Sequence, residues 1–513
     1  MNGAERALQA AHRAGVEVCF ANPGTTEMEM VAALDTVSGI RSVLCLFEGV
    51  ATGAADGYGR MTGKPALTLV HLGPGFANGI ANLHNARRAA SPIVNLIGDH
   101  PTWHLSSDSP LTSDIESLAS PVSKWVRRSE SPDALVQDTV EAIAVAQGEP
   151  SGVASLIVSQ DAAWAEASGD LPSVTSPAKE LDEAALQAAA QMLKEKGEAG
   201  ALLLGSRALR PSLEAAARIQ AATGCQVFVD TFMGRLEGGA GLPAFDAVPY
   251  FPEQAMEKLE GLQGMVVAGS RPPVAFFGYK HINQSSLLPD GCESRVVCGL
   301  GVDSAPTLEA MAQELGAPAY QAVESTPKVG EPDGELNPMS LGQALVSVLP
   351  EGAIVVNESA TSSLGWVVHS RHAAPHDVLN LTGGAIGQGI PCAVGAAIAA
   401  PDRPVVALQA DGSGMYTVQG LWTMAREQLN ITVLVCANRA YRILQTELQR
   451  SGNHEPGPAA LSMTNLSSPE LDWTKLAAGM GLPAVRVTRS EELVTELKRA
   501  LSEPGPSLVE ALL

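Results

Sequence analysis

At 513 residues the chain is too long for a single core, and at about 100–200 residues per domain it divides into roughly three. Its 45% hydrophobic and 17% charged content is globular, and a formal net charge of −22 excludes an extended basic face for nucleic acid or an anionic membrane. Seven scattered cysteines without a C-x-x-C pair argue against a disulfide framework or a cysteine zinc site.

The N-terminus, "MNGAERALQAAHRAG", carries charges where a signal peptide needs an apolar core. Along the first segment, short apolar runs at 16–21, 42–47, 66–72, 93–98 and 153–158 read as buried strands. Helical patterns lie between them, for example at 49–61 and 75–89. The stretch 167–183 is rich in Pro, Ser and charge and reads as a linker. A middle segment repeats the pattern with strands at 201–205, 226–230, 265–269 and 295–299, and a second linker is expected at 324–338. The last segment has strands at 353–357, 404–408, 431–436 and 507–512. Its most apolar long window, "GIPCAVGAAIAA" (389–400), falls short of the roughly 18 residues that span a membrane. Apolar strands with crossover helices mean parallel sheets covered on both faces. The expected fold is α/β, with three doubly wound domains at 1–167, 184–323 and 339–513, in a cytoplasmic protein.

Ligands of such folds sit at the carboxyl ends of strands. "QADGSG" (409–414) lies at one such end and "CANRAY" (436–441) at the next. If the two strands are neighbours, the Asp411 carboxylate and the Asn438 amide oxygen face one crevice. An oxygen-only set of this kind suits Mg²⁺, which completes its shell with water and phosphate oxygens. Gly412 and Gly414 would let backbone N–H groups approach a phosphate at the start of a helix expected over 415–429. Asp411 as a simple cap of that helix fits the same pair of residues.

The run "ADGSGMYTVQGLWTMAREQLNITVLVCANRAY" (410–441) resembles the diphosphate-binding motif of thiamine diphosphate enzymes. "NPGTTE" (22–27), "FEGVATGAADGYGRMTGKPA" (47–66) and "HLGPGFANGIANLHNAR" (71–87) resemble the pyrimidine-binding domain of the acetolactate synthase and benzoylformate decarboxylase group. "NESATSS" (357–363) and "TGGAIGQGIPCAVGAAIA" (382–399) resemble its diphosphate-binding domain. The likeness runs over nearly the whole chain. Ala410 and Ala437 depart from it, standing where the family has Gly and Asn.

The resemblance implies thiamine diphosphate and Mg²⁺ as cofactors and a 2-oxo acid as substrate. Asp411, Asn438 and the Ala440 carbonyl would hold the metal. Thr361, Gly412 and Ser413 would meet the diphosphate. The Gly384 carbonyl would hold the 4′-amino group, and Ile386 would prop the coenzyme in its bent shape. Glu48 would hydrogen-bond N1′ of the aminopyrimidine, where a carboxyl in an apolar pocket can share a proton with a ring nitrogen. His71 and Thr25 would handle the substrate's protons and carboxylate. Ile443 and Glu447 would line the substrate pocket, and an unpaired Glu447 carboxylate there would disfavour an aryl substrate. Glu48 and Asp411 would meet across a subunit interface, implying a homodimer or homotetramer.

The middle segment shows no flavin signature in "GSRPPVAFFGYKH" (269–281), so FAD is not expected. His369, His372 and His376 stand at near-helical spacing, but Pro375 breaks the helix a zinc site would need. "GPGFANG" (73–79) misses the dinucleotide fingerprint by one residue. A nicotinamide- or FAD-linked oxidoreductase and a non-catalytic cofactor-binding subunit are the competing readings.

Overall fold

The computed structural model describes residues 1–168, 171–173, 181–322, 328–452 and 455–513. Much of the expected linker 167–183, and residues 324–327 of the second, lie outside the described residues. The architecture is α/β, built on three sheets. The first is wholly parallel, in the order Arg41–Leu44, Val18–Asn22, Ala66–His71, Ile93–Asp99, Val153–Ser159, Trp125–Ser129. The five-stranded middle sheet runs Asp246–Ala247, Gln226–Val229, Gly200–Leu204, Gly264–Ala268, Glu293–Cys298, also parallel.

The third sheet has eight strands. Its order begins Ala484–Val487, Ser507–Leu512, Ile431–Ala437, Val405–Ala410, Ile354–Glu358, His376–Asn380. Two short strands from the middle segment extend it. Arg235–Gly238 pairs antiparallel with His376–Asn380, and Arg207–Ala208 pairs with Arg235–Gly238. The middle segment is therefore stitched to the last one by backbone hydrogen bonds. Strand His376–Asn380 reads as polar in sequence, yet its first four residues are buried. Its charge is matched inside the protein: Arg235 Nε donates to Asp377 Oδ1 at 2.6 Å, and Arg403 bonds the other carboxylate oxygen. Burial of a paired carboxylate is tolerated where an isolated one is not.

One core runs through the first and last segments together. Its centre is the crossing of helix Glu48–Thr62 with helix Gly389–Ala399. Both sequences are dense in Gly and Ala, so their backbones approach closely. A Cβ added at Gly395 would stand 1.8 Å from the Ala54 carbonyl oxygen, and one at Gly57 2.1 Å from the Cys392 carbonyl oxygen. The Gly395→Ala substitution is expected to force the helices apart. The cost of about 3 kcal/mol for overpacking exceeds the ~1 kcal/mol gained from helix propensity. A thermal melt should show the midpoint falling by several degrees; an unchanged or raised midpoint would contradict this packing.

Arg60 closes the junction. Buried with Asp56 in an i,i+4 pair at 2.5 Å, it donates to the Asn380 carbonyl at 2.6 Å, to Thr382 Oγ1 at 3.0 Å and to Gln388 Oε1 at 3.2 Å. It thereby fixes both flanks of the loop between strand His376–Asn380 and helix Gly389–Ala399. No described helix is long and apolar enough to cross a membrane.

Candidate functional site

The expected neighbour relation holds. Strand Val405–Ala410 lies parallel to Ile431–Ala437, in a register that sets Ala410 opposite Cys436. Asp411 and Asn438 therefore leave adjacent strand ends on one side of the sheet. Four neighbouring strands, His376–Asn380, Ile354–Glu358, Val405–Ala410 and Ile431–Ala437, end in four loops side by side. These carry, in that order, Gly384 with Ile386; Thr361; Asp411 to Ser413; and Asn438 with Ala440.

Asp411 is buried. Its Oδ1 accepts from the Gly412 N–H at 2.8 Å and its Oδ2 from the Arg439 N–H at 2.6 Å. Burial pushes its carboxyl above the usual range, against the pull of those donors. A buried carboxylate held by backbone N–H groups is the kind of oxygen donor a hard cation would take. Asn438 Oδ1 accepts from the Ala440 N–H at 3.0 Å, and Arg439 between them has φ +55°. That left-handed residue turns the chain back over Asp411 and brings its own N–H onto the carboxylate. One carboxylate, one amide and one carbonyl thus stand at adjacent strand ends and fit Mg²⁺ with a phosphate. Among the described residues, no three His, Cys, Asp or Glu side chains form a different metal cluster.

The helix expected over 415–429 is shorter. Asp411–Gly414 form one helical turn, and the regular helix starts only at Gly420–Glu427. The intervening residues carry Thr417 to the Gly387 carbonyl, to which its hydroxyl donates at 2.9 Å. The Gly412 N–H is taken by Asp411, and Ser413 Oγ turns inward to accept from Gln409 Nε2 at 2.7 Å. Ser413 can therefore meet a ligand only through its backbone. Thr361 sits half-buried in a turn opened by Ala360 at φ +50°.

Sequence reasoning missed Glu358. It is fully enclosed at the end of its strand and accepts from the N–H groups of Gly387 at 2.6 Å, Gln388 at 3.3 Å and Gly389 at 2.6 Å, and from Gln409 Nε2 at 3.0 Å. Burial raises its carboxyl, and these donors oppose the rise. Glu358 holds the loop that presents Gly384 and Ile386. Three side chains of helix Leu72–Ala89 grip the same loop: Asn82 Nδ2 on the Gly387 carbonyl, His84 Nε2 on that of Gly383, and Asn85 Nδ2 on that of Ala385. The Gly384 carbonyl is left out of these contacts.

The second group sits at the carboxyl edge of the first sheet, where three neighbouring strands deliver Glu48, Thr25 and His71. Glu48 opens its helix and accepts from Asn78 Nδ2 at 3.1 Å. Thr25 is exposed, whereas Thr26 is buried and directs its hydroxyl to Glu27 Oε1 at 2.5 Å. Glu27 also escaped sequence reasoning. Completely buried, it accepts from the Gly24 N–H at 2.6 Å and meets His71 Nδ1 at 2.8 Å. A carboxylate only accepts, so Nδ1 carries the proton and Nε2 stays free for other partners. The His71 ring packs on Gly24, where a Cβ would stand 2.2 Å from its Cγ. Among the described residues, no hydrogen bond or ion pair joins this group to the Asp411 group.

Ile443 and Glu447 lie on helix Arg442–Arg450 and are half-buried. Glu447 is not an unpaired charge. Its Oε1 accepts from the Tyr279 hydroxyl at 3.3 Å and lies 3.6 Å from Arg450 Nε. The objection to an aryl substrate raised from an unpaired Glu447 therefore falls. His376, one of the three spaced histidines, is buried in its strand with Nδ1 at 2.8 Å from the Ala374 carbonyl.

Two family profiles match the chain. The N-terminal TPP binding domain of thiamine pyrophosphate enzymes matches residues 1–118, and their C-terminal TPP binding domain matches 360–511. A Mycobacterium tuberculosis protein, IlvX, provisionally named an acetolactate synthase large subunit, is 47% identical, over 100% of this chain and 99% of its own length. A benzoylformate decarboxylase of Pseudomonas aeruginosa is 27% identical, over 97% of this chain and 96% of its own. The solved structure of a thiamine diphosphate-dependent 4-hydroxybenzoylformate decarboxylase from Rhodococcus jostii superposes with a TM-score of 0.84 at 23% identity, covering 99% of this chain and 98% of that one; this likeness speaks to the fold. The matched profiles and the full-length likeness settle the kinship: the chain is a member of the thiamine diphosphate-dependent enzyme family.

Proposed function

We propose that the enzyme is a Mg²⁺- and thiamine diphosphate-dependent decarboxylase or carboligase of 2-oxo acids. The observation that carries this reading is the row of four strand ends that present Gly384 and Ile386, Thr361, Asp411, and Asn438 with Ala440 in spatial order. Asp411, Asn438 and the Ala440 carbonyl would hold the metal, and Thr361 with the backbone N–H of Ser413 would hold the diphosphate, the Gly412 N–H being engaged by Asp411. The coenzyme, when bound, supplies a carbon nucleophile and an electron sink for the carbon that loses CO₂.

The chain's own residues supply the proton chemistry. Glu48 shares a proton with N1′ of the pyrimidine. His71, its Nδ1–H held by Glu27, offers Nε2 to exchange a proton with the substrate, and Thr25 offers a hydroxyl to its carboxylate. Glu358 keeps the 383–387 loop in place, so that the Gly384 carbonyl and the Ile386 side chain meet the coenzyme without rearranging. Glu48 and Asp411 are supplied by different subunits of a homodimer or of a tetramer built from two such dimers.

The test is a panel of 2-oxo acids added with thiamine diphosphate and Mg²⁺, with CO₂ release followed. Turnover of at least one acid supports the reading. Coenzyme binding without turnover of any acid would leave a non-catalytic subunit instead.

A further inference from the structure

Aromatic residues are scarce here, at nine Phe, six Tyr and six Trp. Phe232, Tyr250, Phe251, Phe276, Phe277 and Tyr279 nevertheless gather at one place, and none of them belongs to the buried core. Phe276 is the hub. Its ring centroid lies 5.9 Å from Phe232, 5.3 Å from Tyr250 and 5.0 Å from Phe277, with interplanar angles of 80°, 49° and 74°. Phe276 and Phe277 remain 40% and 53% exposed. Within the single chain these rings form an uncovered apolar surface beside the Gly384 loop.

Gly384 has φ +76°, and a Cβ there would stand 2.8 Å from Phe276 Cζ. The ring therefore lies on the loop whose carbonyl faces the coenzyme in the reading above. On the other side the cluster grips helix Arg442–Arg450. The Arg450 guanidinium lies 4.4 Å from the Phe251 ring centroid and 4.9 Å from that of Tyr279. Arg450 Nη2 donates to both oxygens of Glu253, at 2.9 and 2.8 Å, and its Nε lies beside Glu447. The charges beside the rings are thus engaged with one another, and the rings bridge the Gly384 loop and helix Arg442–Arg450.

We propose that Phe276, braced by Phe232 and Tyr250, is a specificity-determining wall of the substrate pocket, selecting 2-oxo acids with a flat, aryl-sized side chain over short aliphatic ones. The assignment rests on the coenzyme reading of the Gly384 loop. A braced ring offers an incoming ring edge-to-face or offset contact and loses little freedom in doing so. A one-carbon side chain would leave most of that surface unused.

The experiment compares benzoylformate and pyruvate as probes with wild type, Phe276→Leu and Phe276→Ala. KM and kcat, Mg²⁺-dependent coenzyme binding and the melting midpoint are measured for each. Wild type is expected to favour benzoylformate. Phe276→Ala should raise its KM for that acid about tenfold and its KM for pyruvate less than about threefold, with coenzyme affinity and midpoint held. Phe276→Leu should fall between. Equal changes for both acids, or a wild type that turns over pyruvate and not benzoylformate, would overturn the wall while leaving the 2-oxo acid reading intact. A wild type that turns over neither acid nor any other 2-oxo acid would remove both.

Discussion

Glu48→Gln is expected to lower kcat by about 10²- to 10⁴-fold while leaving Mg²⁺-dependent coenzyme binding within about threefold. The side chain stands at the first position of its helix and receives one hydrogen bond, from Asn78. Glutamine keeps the shape and can still accept that bond through its amide oxygen. It cannot share a proton with a ring nitrogen. The loss therefore falls on the chemical step and not on assembly of the site. Steady-state CO₂ release together with a coenzyme titration separates the two. An unchanged kcat would remove Glu48 from the mechanism, and lost coenzyme binding would make its role structural.

Asp411→Ala is expected to weaken metal-dependent coenzyme binding by about 100-fold or more. The substitution deletes the one carboxylate of the oxygen set and leaves the Gly412 and Arg439 N–H groups without their acceptor. Binding measured in excess chelator should be equally poor for the variant and for wild type. The two defects also report on the subunit arrangement. If Glu48 and Asp411 of one site come from different chains, a Glu48→Gln, Asp411→Ala hybrid dimer carries one intact site and one doubly defective site. Random co-assembly of the two inactive variants should then recover roughly a quarter of wild-type activity. No recovery, with hybrids shown to form, would place both residues of a site in one chain.

Much of this arrangement is written in the sequence because strands buried on both faces need continuous apolar runs. "ALTLVH" and "ITVLVCA" could hardly be anything else. The strand His376–Asn380 escaped because its first two residues are polar. Only the distant Arg235 and Arg403 make their burial tolerable. Strands Arg207–Ala208 and Arg235–Gly238 are too short to carry a period, and their place in another segment's sheet depends on tertiary pairing.

The site divides along the same line. Asp411 and Asn438 were legible because each stands within three residues of the end of an apolar run. Glu27 and Glu358 lie within recognisable stretches, but their work is done on partners far along the chain. His71 is 44 positions from Glu27, and the 387–389 backbone is about 30 from Glu358. The one sequence cue was an acidic residue beside a strand end, which serves equally well as a solvated side chain. The pairing of Glu447 was invisible for the same reason, since Tyr279 lies 168 positions away.

The central claim is that the Asp411 crevice grips a divalent cation and, through it, a diphosphate. Calorimetric titration of the purified protein with thiamine diphosphate, in Mg²⁺ and then in excess chelator, tests it most directly. Saturable binding at one site per chain that appears only with the metal is the predicted result. Equal binding in both conditions, or none in Mg²⁺, would contradict it.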